Sequence, residues 1–335
     1  MAKHVWIAAG VLLLTLLAGL AGSLYLDYQR FLQTPLTIDK PLTFTIQPGD
    51  TLRRVARRLK DQGVIKRPVY LGLLGRETGL AQQLKTGEYE LTTGLRPQSM
   101  LELFASGKVK QYAFTIIEGW TFQQLCEHLA QVDSIHHMVK DWPAELIMSS
   151  IGAGELHPEG QFLPDTYHYP RGTTDIDFLK RAHQALVDTL QEEWEQRADG
   201  LPLKTPYEAL TLASIIEKET GVAAERPEIA GVFIRRLQRG MRLQTDPTVI
   251  YGLGADFDGD IRYKDLRKDT PYNTYIHSGL PPTPIAMAGR DAIHAALHPA
   301  SGTTLYFVSK GDGSHYFSST LEEHSRAVRK YQLNK

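Results

Sequence analysis

Val5 to Leu26, "VWIAAGVLLLTLLAGLAGSLYL", is a run of 22 residues without a charge. As a helix it would be ~33 Å long, enough to cross the hydrocarbon core of a bilayer. A cleaved signal peptide is the alternative, because "LAGLAGS" offers small residues at a cleavage position. The run nevertheless exceeds the usual apolar core of roughly 7–15 residues, which favours a retained anchor. Lys3 precedes the span and no other Lys or Arg follows until Arg30. That bias places the N-terminus in the cytoplasm and the rest of the chain outside the cytoplasmic (inner) membrane.

Behind the span the chain is ordinary globular material. Of its 335 residues 42% are hydrophobic and 22% charged, enough for two domains. A net charge of −1 gives no reason to expect a nucleic-acid partner. Cys126 is the single cysteine, so no intrachain disulfide can form. Its apolar spacing in "FQQLCEHLAQ" reads as a small buried hydrophobe rather than a catalytic thiol.

Two stretches 70 residues apart repeat one pattern: "FTIQPGDTLRRVARRL" from Phe44 and "FTIIEGWTFQQLCEHL" from Phe114. Each reads as strand, turn at Gly49 or Gly119, cap at Thr51 or Thr121, then an amphipathic helix. A weaker third copy, "YELTTGLRPQSMLELF", starts at Tyr89. "IQPGDTLRRVARRL" also resembles the opening of LysM modules, which bind N-acetylglucosamine-containing glycans; a plain scaffold is the alternative. The expected layout is a tip and anchor over 1–27, a linker over 28–42, a LysM-like β/α region over 43–110 and a catalytic domain over 111–335.

From His157 the character changes to loops rich in Pro, Gly and aromatics, interrupted by helical patterns at 175–198, 206–220, 226–239, 288–297 and 320–332. The fold class is α+β, with a helix carrying an acid and long loops forming a cleft. The helix 206–220 ends in "TLASIIEKETG". At about 100° per residue, Glu217 and Glu219 point about 160° apart. Glu219 follows Leu212, Ile215 and Ile216 by seven, four and three positions, so it projects from the apolar stripe; Glu217 lies at its edge. A carboxyl on that side is desolvated and stays protonated near neutrality, as a general acid requires, unless an arginine such as Arg235, Arg236 or Arg242 holds it.

"ASIIEKETGVAAERPEIAGVFIRRLQRGMRLQTDPTVIYGLG", with "EGQFLPDTYHY", "DTPYNTYIHSGLPPTPI" and "AALHPA", closely resembles the MltG (YceG-like) family of endolytic peptidoglycan transglycosylases. With the span and the LysM-like region, the resemblance covers essentially the whole chain. It implies lytic cleavage of the β-1,4 bond between N-acetylmuramic acid and N-acetylglucosamine, yielding 1,6-anhydro ends, with Glu219 as the catalytic residue and neither cofactor nor metal. It also implies action within nascent strands beside the synthases (penicillin-binding proteins), terminating elongation. Glu219-Thr220 resembles the Glu-Ser pair of other lytic transglycosylases. Two positions depart from the family pattern: Arg235 stands for Asn, and Thr283 for Gly.

Gln244, Thr245, Asp246, Tyr251, Tyr272, Asn273 and Tyr275 are the candidate substrate contacts, with Asp165 and Tyr167 of "LPDTY". Amides and hydroxyls suit acetamido and hydroxyl groups, and tyrosines suit sugar faces. Loop-stapling hydrogen bonds are the alternative for each. His294 and His298 have the spacing of a metal pair, but no third ligand stands at a recognisable distance in sequence. Two competing functions remain: a hydrolytic muramidase, which would need a second carboxylate opposite Glu219, and a non-catalytic glycan-binding division scaffold.

Overall fold

The computed structural model describes residues 2–36, 38–139 and 142–333. The Lys3 side chain, on which the expected orientation rests, lies outside what is described. The first helix, α1 (Ala2–Gln33), carries the apolar run, and every residue from His4 to Leu26 is exposed. His4–Gln33 is long and apolar enough to cross a membrane. The helix does not stop where a linker was expected over 28–42. Tyr28 and Leu36 are buried, and Phe31 and Leu32 pack on a core. Tyr28, Phe31 and Leu32 stand at i, i+3 and i+4, which continues the helical period into a packed segment.

Contacts divide the chain into two units, residues 1–112 and 113–335. After α1 the first contains β1 (Leu42–Ile46), α2 (Leu52–Asp61), α3 (Pro68–Glu77), β2 (Gly87–Leu91) and α4 (Pro97–Ser106). β1 and β2 pair antiparallel with Phe44 opposite Tyr89, so alternate residues enter the core together. Leu52, Val55, Ala56 and Leu59 turn one face of α2 inward, and the Thr51 hydroxyl accepts the Arg54 N–H at its start. β1 thus belongs to the first copy of the repeat and β2 to the third. Gly49 and Gly119 both take the left-handed φ (77° and 76°) that the expected turns require.

The second copy opens the larger unit with β3 (Gln111–Thr115) and α5 (Phe122–Leu129), where Thr121 and Gln124 form a capping box. α6 (Ala144–Ser150) and β4 (Thr166–Pro170) follow, and β4 joins β3 in a two-stranded sheet. The remaining elements are α7 (Asp175–Glu195), α8 (Pro206–Glu219), α9 (Arg226–Gln238), α10 (Asp246–Leu253), α11 (Arg290–Leu297), β5 (Tyr306–Ser309), β6 (His315–Ser318) and α12 (Leu321–Val328). The expected mixture of helix and sheet is therefore found.

α8 is the centre of this unit. Thr205 caps it by accepting the Glu208 N–H, Pro206 fills the first turn, and residues 209–216 are all buried. Ile229, Ala230 and Phe233 of α9 and Ala292, Ile293 and Ala296 of α11 complete the same core. Ser214, fully buried on α8, is satisfied twice: it donates to Thr211 O at 2.7 Å and accepts Ile285 N–H at 3.0 Å.

Candidate active site

Because α8 is buried along eight successive residues, its C-terminal end is held rigidly, and there Glu217 and Glu219 part. Glu217 accepts the Gly289 N–H at 2.9 Å and lies 3.7 Å from Arg226, which also faces Asp291 at 3.3 Å and Glu118 at 3.6 Å. Burial raises its pKa; the Gly289 N–H opposes this, the negative charges of Glu118 and Asp291 reinforce it and Arg226 lowers it. Its surroundings are those of a packed structural carboxylate.

Glu219 is half-buried and lines a cavity of about 490 Å³, within the range of small-molecule sites. Its Oε1 accepts the hydroxyl of Thr245. Burial is the main force on the carboxyl and pushes its pKa up to about 7; the Thr245 hydroxyl pulls down, Asp246 pushes up and Arg236 pulls down. None of the three arginines that could have neutralised it is bonded to it. Arg235 donates to Thr304 O at 2.7 Å and Ala300 O at 2.8 Å, and Arg242 to Tyr275 O at 2.9 Å. Arg236, nearly buried, donates to Leu305 O and Leu243 O, each at 2.7 Å, and so reaches Glu219 only through its field.

Of the candidate substrate contacts, Gln244, Thr245, Asp246 and Tyr275 join Glu219 in the cavity wall. The Tyr275 hydroxyl donates to Asp246 Oδ1 at 2.6 Å. Thr245 is fixed from below, where its N–H donates to Thr274 Oγ1 at 3.1 Å and its carbonyl accepts the Thr248 hydroxyl at 2.7 Å. Just before it, Gln244 holds φ at 51°, a left-handed conformation unusual for a residue with a side chain. Its N–H donates to Thr274 O at 3.2 Å.

The other candidates lie elsewhere. Tyr167 is a core residue, its hydroxyl on Leu163 O at 2.8 Å and its ring edge-on to Phe178. Exposed Asp165 accepts its neighbour Thr166 N–H at 2.6 Å and does not line the cavity. Asn273, 1% exposed, donates to Lys268 O at 2.8 Å and accepts Tyr275 N–H at 2.9 Å, so it staples the loop. Thr220 is buried and accepts Val222 N–H at 2.9 Å, which turns the chain after α8. Tyr251 and Tyr272 pack edge to face at 4.7 Å. The Tyr272 hydroxyl bonds Thr283 at 3.0 Å, so the departure at 283 touches a tyrosine outside the cavity wall, and Arg235 also stands outside it.

The structure adds residues that the sequence reading did not select. Glu159, 4% exposed, accepts the Phe122 N–H at 2.9 Å and the Tyr251 hydroxyl at 3.2 Å. Burial pushes its pKa up to about 7 against those donors. It does not line the Glu219 cavity. Tyr306 and His324 do, with rings stacked at 5.2 Å. His324 Nδ1 is buried without a hydrogen-bond partner among the described residues, and burial, then the charge of Arg236, keeps this imidazole below its ordinary pKa. It is a neutral polar group facing the cavity. Cys126 is half-buried, with a thiol pushed up to about 12, mainly by burial, so it is not primed as a nucleophile.

Over 332 residues the chain is 32% identical to the endolytic murein transglycosylase of Bacillus subtilis (strain 168), covering 92% of this chain and 90% of that one. The endolytic murein transglycosylase of Streptococcus pneumoniae serotype 2 (strain D39) is 27% identical over 96% of this chain, which spans 65% of that longer protein. A crystallised yceG-like protein of Listeria monocytogenes superposes with a TM-score of 0.52 at 30% identity, over 86% of this chain and 99% of its own. The family model of the YceG-like family matches residues 44–330, from β1 to just past α12. On that span the chain belongs to the YceG-like family.

Proposed function

We propose that this chain is an endolytic murein transglycosylase, a lyase of peptidoglycan glycan strands, and that Glu219 is its acid and then its base. One observation carries the residue assignment: Glu219 ends a rigid helix in a cavity wall, with a carboxyl pushed up to about 7. Near neutrality a carboxyl so tuned is available both to give and to take a proton.

Glu219 protonates the glycosidic oxygen, and the bond from C1 of the N-acetylmuramic acid to the N-acetylglucosamine O4 breaks. The N-acetyl carbonyl of the muramic sugar supports the cationic C1, a substrate-assisted route that dispenses with a second carboxylate. Glu219, now ionised, takes the proton of the same sugar's 6-hydroxyl as O6 bonds to C1. The product is a 1,6-anhydro end, and no water enters. The Thr245 hydroxyl donates to the carboxylate between the two steps, and the carboxamide of Gln244 matches an acetamido group.

Asp246 favours a second reading, because it places another carboxylate in the same cavity, as a hydrolytic muramidase needs. Mass spectrometry of products from purified peptidoglycan separates the two. Anhydro ends are expected; reducing ends heavier by one water would overturn the lytic route. Around this chemistry we place α1 in the cytoplasmic membrane with residues 28–335 outside, and read the β1–β2 unit as a LysM-like contact for nascent strands beside the synthases. Resistance to carbonate extraction and digestion by protease added outside are the expected results.

A further inference from the structure

The spacing of His294 and His298 has a third partner that the sequence could not display, because it comes from another helix 101 residues earlier. Glu193, in the last turn of α7 and 8% exposed, has Oε2 2.7 Å from His294 Nδ1. His294 sits in the last turn of α11, and His298 is the residue that ends the helix. Their rings stack with centroids 4.3 Å apart. One nitrogen or oxygen from each of the three residues lies within 4.8 Å of the other two. We propose that Glu193, His294 and His298 bind a divalent transition-metal ion of the zinc type, which clasps the end of α7 to the end of α11.

The donor set is two imidazoles and one carboxylate, a combination that zinc accepts, with the fourth position left to water. Metal bonds of ~2.0–2.1 Å to a tetrahedral ion would set ligand atoms ~3.3 Å apart. His298 supplies the strongest indication. Its Nε2 is buried and has no hydrogen-bond partner among the described residues, a state that native structures seldom leave unexplained. An ion pair of Glu193 with His294 alone would not satisfy it.

Arg290 approaches the other carboxylate oxygen of Glu193, Oε1, at 3.5 Å and is itself paired with Glu192 at 3.1 Å. Oε1 thus takes an orienting outer contact while Oε2 faces His294, as expected around a ligating carboxylate. The His294 side chain is 56% exposed, which leaves an entry path. A bound ion would hold α7 against α11, and α11 shares its core with α8. No step of glycan cleavage depends on it.

The test uses the full chain in detergent, with any histidine tag removed and metals stripped by a chelator. Zinc chloride is titrated by calorimetry, and cobalt(II) absorption reports geometry. One ion per chain with tetrahedral cobalt bands is expected. Zinc at 100 times its Kd should raise the unfolding midpoint by about 5–10 °C. Glu193→Gln and His298→Asn should each weaken binding by at least ~10-fold. If either fails to fold, His294→Gln, altered on an exposed ring, gives the same comparison. Absence of one-to-one binding, or affinity unchanged in every folded variant, would overturn the site.

Discussion

Glu217 and Glu219, two positions apart on one helix, are turned to opposite surroundings. The first is tied to the Gly289 N–H at 2.9 Å and Arg226 at 3.7 Å, the second faces a cavity and accepts the hydroxyl of Thr245. The helix makes the division, since a two-residue step turns the side chain by about 160°.

Glu219→Gln keeps the shape but cannot deliver a proton, so turnover of glycan strands should fall at least ~10²-fold. Glu217→Gln should keep activity within a few-fold of the parent while lowering stability by ~1–3 kcal/mol, because Arg226 loses part of its pairing. Turnover assays and urea unfolding of both variants decide this. Near-normal turnover in a folded Glu219→Gln protein would end the assignment.

The same substitution has a pH signature in stability. A carboxyl with a folded pKa of about 7 lies above its unfolded value of ~4.3. Between those values the folded state holds more protons, so this group makes the protein less stable as pH rises through the window. Glu219→Gln removes that loss. The variant should match the parent at pH 4 and exceed it by ~1–3 kcal/mol at pH 8. A difference of equal size at both pH values would show that the carboxyl is not the cause.

Two neighbours should move the activity profile in opposite directions. The Thr245 hydroxyl lowers the Glu219 pKa and the Asp246 charge raises it. Thr245→Val should therefore carry the alkaline fall in kcat/KM to higher pH, and Asp246→Asn should bring it to lower pH with turnover retained. Loss of all turnover in Asp246→Asn would instead favour the hydrolytic reading.

Asn273→Ala should destabilise by ~1–3 kcal/mol, because the carbonyl of Lys268 and the N–H of Tyr275 both lose a buried partner. The loop carries Tyr275 into the cavity wall, so KM should rise more than kcat falls. Unchanged stability with binding lost would mean that the amide touches substrate instead.

A fragment of residues 111–335 keeps β3, and with it the pairing to β4. It should unfold cooperatively in urea and cut soluble glycan strands, while acting more slowly on membrane-proximal ones for want of tethering. Aggregation or a non-cooperative transition would show that residues before 111 complete its core.

What could be read from the sequence was local. The Thr51 and Thr121 caps, the glycine turns, the apolar face of α8 and the helices near 175, 206 and 226 each follow from neighbours within a turn or two. What could not be read involves partners far apart in the chain. The first repeat copy pairs through β1 with the third copy rather than the second. Tyr167 and Asn273 carry the residue types of a sugar site, but packing by the whole fold buries them, and their polar atoms turn to the nearby Leu163 O and Lys268 O. His324 reaches the cavity from α12, 105 positions beyond Glu219, and no local pattern announces it. Glu159 lay inside a quoted motif, but only packing shows that its carboxyl is buried against Tyr251.

The left-handed backbone at Gln244 sets selection for folding against selection for chemistry. Glycine would occupy φ 51° without the steric penalty of ~1–2 kcal/mol that a side chain meets there. A single substitution would therefore make the protein sturdier, yet it would also remove the carboxamide that stands next to Thr245 in the wall around Glu219. Variants chosen in the laboratory for thermal endurance alone should drift to glycine at this position, and variants chosen for growth on an intact wall should drift back.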